Sequence, residues 1–241
     1  KLPESLPKSK RSNFDSVGWS SRIGNSVKQS FSMLNNGLIS VIIWVKMLFI
    51  FGFTIMHAVF ILYTGMDIDA GGLSYNEAQN GRLFAIIGIT GIITQGVLIG
   101  PLSKRFGPAR LLPISCLLCG LGLVLIPYTQ ADWAFAYLFA VVILISVGNG
   151  IFQPSSSSLL TTTAKQNGIN LGVVMGAQES VSSFARIIGP LTGGIVWTLT
   201  VSRKWPLDYH TAFLLCGILM AMAALLSLKI PHQKEQIQSE E

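Results

Sequence analysis

Two charged residues sit inside one apolar run, GVVMGAQESVSSFARIIGPLTGGIVW: Glu179 and Arg186. A carboxylate can take up and release a proton, and a guanidinium can hold a polar group of a solute. Inside a membrane, such groups could serve the transport of a polar solute or tie helices together. Their spacing of seven puts both on one helical face with about 10 Å of rise between them, which predicts no simple direct ion pair. Arg186 lies roughly a dozen residues from each end of the run, near the bilayer centre, where an arginine costs at least about 2.5 to 3.5 kcal/mol. It must face protein or water. One reading is a substrate or coupling contact beside a protonation site at Glu179. The other is structural: an arginine that ties helices together through carbonyls, or reaches Glu179 through water.

Pro190 adds a second device. It lacks an N–H, so the carbonyl of Arg186, four residues earlier, loses its helical partner and the helix can bend there. Gly189, Gly193 and Gly194 keep the same segment thin enough for close packing. Other polar groups lie in comparable runs. Gln95 sits among Gly88, Gly91, Gly96 and Gly100, and the Gly96–Gly100 spacing predicts a helix-packing face. Asn149 and Gln153 precede Pro154 in SVGNGIFQPSSSSLL, a run suited to a hinged, cavity-lining helix or to serines that repair the carbonyl Pro154 frees. His57 could take a proton near neutral pH, although a lone histidine is more often structural. Lys46, about two turns into its run, is expected to snorkel to the interface.

The elements that must carry these residues follow from composition. Half of the 241 residues are hydrophobic and 12% are charged, with a mean hydropathy of +0.56. Such a chain has too little polar surface for a water-soluble globule of its length. Apolar runs of the length that crosses a hydrocarbon core of about 30 Å recur six times, near 38–63, 81–102, 110–127, 133–160, 172–198 and 209–229. The expectation is an all-α integral membrane protein. Residues 1–36 read as a cytoplasmic linker, 37–230 as a six-helix transmembrane domain and 231–241 as a cytoplasmic tail.

Basic residues collect in the leader (Lys8, Lys10, Arg11, Arg22, Lys28), the second connection (Lys104, Arg105, Arg110), the fourth (Lys165) and the tail (Lys229, Lys234). The positive-inside rule then puts both termini in the cytoplasm, with Arg203 and Lys204 against the trend. The net charge of +6 is thus a topology signal, with no nucleic-acid patch behind it. Cys116, Cys119 and Cys216 all fall in expected spans and read as small core residues. No Gly-x-Ser-Gly turn, HExxH zinc motif or selectivity-filter run occurs. Hence no enzyme, metal or cofactor is expected. The first residue, Lys1, suggests a fragment or a processed piece.

The GRLFAIIGITGIITQGVLIGPLSKRFG, GNGIFQPSSSSLL and GVVMGAQESVSSFARIIGPLTGGIVW blocks together resemble the last six helices of a major facilitator superfamily transporter. The resemblance covers residues 30 to 230 and is nearest to drug/proton antiporters of the tetracycline-efflux type. It implies one half of a twelve-helix fold that rocks around a midplane site, with an N-terminal six-helix half as the missing partner. It further implies a small organic solute or drug exported against protons across a plasma or inner membrane. The turn with Gly100, Lys104, Arg105, Gly107 and Arg110 resembles the second-half copy of the family's cytoplasmic loop motif. Lys104 stands where that motif has an acidic residue, so the acid's charge relay does not carry over. GPLTGG resembles the antiporter-associated glycine-proline motif by analogy through the internal repeat. The competing expectation is a half-transporter without autonomous transport, acting as a membrane scaffold or regulatory partner.

Overall fold

The computed structural model describes residues 37–129, 133–203 and 207–231. The expected linker, all of the expected tail beyond residue 231, and Lys204 lie outside the described residues. Among the described residues the regular structure is entirely helical. Six long helices follow one another: α1 Gly37–Gly65, α2 Glu77–Phe106, α3 Pro108–Leu125, α4 Ala134–Gln166, α5 Leu171–Thr200 and α6 His210–Ser227. Each coincides with one of the six expected runs, shifted by a few residues at its ends. Five of them, all but α5, are long and apolar enough to cross a membrane. α5 has 30 residues, but Glu179, Arg186 and its many Ser and Gly residues dilute its apolar character.

Local chemistry sets the helix ends. Asn76 caps α2: its side chain accepts from the Gln79 N–H at 2.9 Å, and the Gln79 side chain accepts from the Asn76 N–H at 2.9 Å. These two bonds satisfy two amides that the first helical turn leaves free. At the other end, Gly107 alone separates α2 from α3. Its φ of +73° is a conformation that side-chain-bearing residues rarely adopt, and Pro108 next to it presets the first turn of α3. Asn170 caps α5 through the Gly172 N–H at 2.9 Å.

The short connections make successive helices antiparallel. α1 packs against α5 and α6, α3 against α4 and α6, and α2 against α4. The apolar interior runs from Phe49 and Phe60 through Leu112 and Cys116 to Phe152 and Phe213. The rings of Phe49 and Phe152 stack with centroids 3.6 Å apart, locking α1 to α4. Cys116, Cys119 and Cys216 are buried free thiols within this core, as expected.

One expected packing face is absent. A Cβ at Gly96 or Gly100 would touch nothing within 4 Å, so those glycines do not mediate packing among the six helices. α2 instead meets α4 through Thr94, whose side chain lies where a Cβ at Gly150 would stand, and through Ile87, whose carbonyl accepts from Ser146 Oγ at 2.7 Å. The reason is rotational: α2 has the fewest buried residues of the six helices and turns its Gly96–Gly100 side away from α4.

Candidate functional site

α5 owes its position to α1. Thr54 Oγ1 on α1 donates to the Ala185 carbonyl at 3.3 Å. A Cβ at Gly189 would collide with Thr54 Oγ1, and one at Gly193 would stand 3.1 Å from the Ile55 carbonyl oxygen. The two glycines therefore let the helices approach closely, as small-residue spacing does in lipid. Gly194 does not share this role, because nothing lies within 4 Å of its Cβ position. Position numbers rise together across the contact, from Thr54 opposite Ala185 and Gly189 to Val59 opposite Gly193, so α1 and α5 run parallel.

Gly189 and Gly193 turn to α1, and Glu179 and Arg186, fourteen and seven residues before Gly193, lie on the exposed flank of the same side. Arg186 Nη1 donates to Glu179 Oε1 at 2.6 Å. This corrects the expectation that the spacing forbids a direct ion pair. Helical side chains lean toward the N-terminus, so the long arginine reaches down its own face while the glutamate closes the remaining gap. The side chains are 51% and 57% exposed, respectively. α5 is unbroken through Pro190, and α4 through Pro154.

Lys46 also departs from expectation. It does not reach a free surface: the whole residue is 6% exposed, and it lies within electrostatic range of both Glu179 and Arg186. Depth along a run does not reveal which side of a helix is covered, and packing within the bundle buries Lys46. Sequence reasoning missed three further polar groups, Ser155, Ser156 and Gln178, each buried with a side-chain atom that has no hydrogen-bond partner. Only a knowledge of which helix faces meet could have singled them out.

The remaining candidates are dispersed. His57 has an aromatic setting, edge-on to Phe53 at 4.6 Å between centroids and 6.2 Å from the Phe84 ring on α2. Gln95 is exposed and sits in a wide π-type turn, Thr94–Leu98, shortly before Pro101 removes a backbone donor from α2. Asn149 and Gln153 are half-buried on α4, and Asn149 Oδ1 is buried without a hydrogen-bond partner. Of the expected site residues, Glu179 and Arg186 form the direct pair. The basic corner is compact: Lys104 and Arg105 occupy the last turn of α2, Arg105 stands 5.5 Å from the Phe106 ring centroid, and Arg110 is exposed on the first turn of α3. Gly107 makes the corner, and Gly100 lies beyond it in open space.

The family model of the Major Facilitator Superfamily matches residues 2–190 and, separately, 48–241. The chain belongs to the major facilitator superfamily. That membership, with five membrane-capable helices, makes it a multi-pass membrane protein, from a family of transporters rather than enzymes. Among its superfamily relatives, tetracycline resistance protein class G of Vibrio anguillarum is 30% identical over 117 residues, 48% of this chain and 28% of that protein. Tetracycline resistance protein class C of Escherichia coli is 26% identical over 128 residues, 53% of this chain and 31% of the relative. Multidrug resistance protein 2 of Bacillus subtilis (strain 168) is 24% identical over 184 residues, 76% of this chain and 41% of the relative. The chain thus spans less than half the length of these curated relatives.

Proposed function

We propose that this chain is the second six-helix half of a secondary transporter that exports a small organic solute in exchange for protons by alternating access. In this reading all six helices, α5 included, cross the plasma or inner membrane, and both termini lie in the cytoplasm. Residues 1–36 link to an N-terminal half. Glu179 carries the proton, Arg186 contacts the solute or couples it to the proton, and Gly189, Pro190, Gly193 and Gly194 let α5 flex.

The observation that carries this reading is the Glu179–Arg186 pair, held at 2.6 Å yet more than half exposed at the middle of a 30-residue helix. Hydrocarbon does not tolerate such a pair, so its open side calls for water or for another protein body. A two-half transporter supplies both, because its site lies at the midplane between the halves. The relatives named as tetracycline and multidrug resistance proteins favour export of a drug-like solute.

The test is transport by the complete protein in proteoliposomes with an imposed pH gradient. Arg186→Ala is expected to cut gradient-driven transport at least about tenfold, at the scale of a lost charge-assisted contact of 1.5 to 3 kcal/mol. Unchanged transport with unchanged pH dependence at normal expression would remove Arg186 from the mechanism.

A further inference from the structure

Away from their ends, the six helices carry more positive than negative charge. Along them, Glu179 is the one carboxylate away from the helix ends; Glu77 begins α2, and α1, α3, α4 and α6 contain no Asp or Glu. Two cations, Arg186 and Lys46, lie within electrostatic range of it. Arg186 already holds Glu179 at 2.6 Å. Lys46, 6% exposed, has no direct ion pair among the described residues.

Packing register brings unpartnered polar groups to the level of Lys46. On the parallel α1–α5 contact, Thr54 lies opposite Ala185 and Gly189. Eight residues earlier on each helix, Lys46 stands opposite the stretch from Ala177 to Val181, which contains Gln178 and Glu179. On the antiparallel α1–α4 contact, Phe49 stacks on Phe152. One turn farther, Lys46 stands opposite Ser155 and Ser156. Gln178 is 3% exposed, Ser155 1% and Ser156 0%. Gln178 Nε2 and both serine hydroxyls have no hydrogen-bond partner.

By this register the buried ammonium of Lys46, the amide NH2 of Gln178 and the hydroxyls of Ser155 and Ser156 stand at the level of the half-exposed Glu179–Arg186 pair. These buried groups can all donate a hydrogen bond. Buried donors and charges in native structures are paired or bound. We infer that the Lys46–Arg186 cluster is an anion site, which takes a carboxylate-sized anionic group beside Glu179 when the transporter is loaded. This deepens the proposed function: it rests on that reading and adds that the exported solute carries an acidic group. The same chemistry could come from an acidic side chain of the N-terminal half, and the experiment separates the two sources.

The experiment measures the thermal unfolding of the complete protein in detergent with benzoate, and with benzamide as an uncharged isostere. Wild type, Lys46→Met and Arg186→Gln are compared. An external anion site predicts that saturating benzoate raises the wild-type Tm by about 3 °C or more, as a ligand held far above its Kd does. Benzamide does nothing, and each substitution removes the shift. If the anion is built in, the wild type ignores benzoate, each substitution lowers Tm, and the double substitution lowers it no further than one alone, which overturns the acidic-solute form. If the wild type ignores benzoate and Lys46→Met leaves Tm unchanged or raised, the cluster needs no anion and the inference fails altogether. Binding is read without a pH gradient, so a transporter that lacks proton coupling could still pass, and a coupled one could still fail.

Discussion

At the scale of single residues, the direct bond between Glu179 and Arg186 gives the proposed proton-carrying role of Glu179 a test. A neutral carboxyl holds a guanidinium far less strongly than a carboxylate does, because the charge-assisted bond is roughly twice as strong as a neutral one. Glu179→Gln mimics the protonated state permanently. Its expected result is solute exchange without a gradient at near wild-type rate, and loss of at least about nine-tenths of gradient-driven transport, which corresponds to more than 1.4 kcal/mol of coupling. Equal loss of both activities would mean that Glu179 serves folding or binding instead. Both members of this pair were legible in the sequence, since a charge in a long apolar run breaks the pattern. Their contact is not, because helical rise alone leaves out the reach of two long side chains. Lys46 was misplaced for a related reason: distance from a helix end does not reveal which side of the helix is covered.

At the scale of helices, all six were legible from apolar run length, and the Gly107–Pro108 corner from its residue types. Which glycines pack was not legible, since close approach depends on helix rotation about its own axis, and spacing alone does not fix that rotation. The Gly96–Gly100 face shows the failure, and the α1–α5 contact shows what decides it. Gly189→Val would drive a side chain into Thr54. It is expected to destabilise the protein by about 1–3 kcal/mol, the scale of overpacking, seen as a lower unfolding temperature. Gly194→Ala, in open space on the same helix, is expected to leave that temperature within error. Equal effects would mean that α5 packs by another face. At the corner, Gly107→Ala forces a side chain onto a backbone at φ +73° and ψ 153°. A destabilisation of about 1–3 kcal/mol is expected for that strain, measured by the same unfolding assay.

At the scale of the whole molecule, exposure in the six-helix body has two meanings, and chemistry separates them. α6 exposes Ile218, Met222 and Leu225, an apolar set suited to lipid. α5 exposes Ser180, Ser183 and Arg186 beside Phe184 and Ile187, a mixed set that lipid alone solvates poorly. The proposed two-half arrangement turns the α5 surface toward a central aqueous path. A cysteine scan can read this difference with little background from these six helices, because their three thiols are buried; any thiol of the N-terminal half is replaced first. Ser183→Cys lies one turn from Arg186, and Leu225→Cys lies on the apolar face of α6. In the complete protein within native membranes, a membrane-impermeant maleimide is expected to label position 183 and to spare position 225. Labelling at 183 should also fall when solute is bound, since the occupied site excludes the reagent. If 183 resists labelling in every condition while a lipid-soluble maleimide reaches it, α5 faces hydrocarbon. The Glu179–Arg186 pair would then be an element of helix packing, and the transport reading would lose its central support.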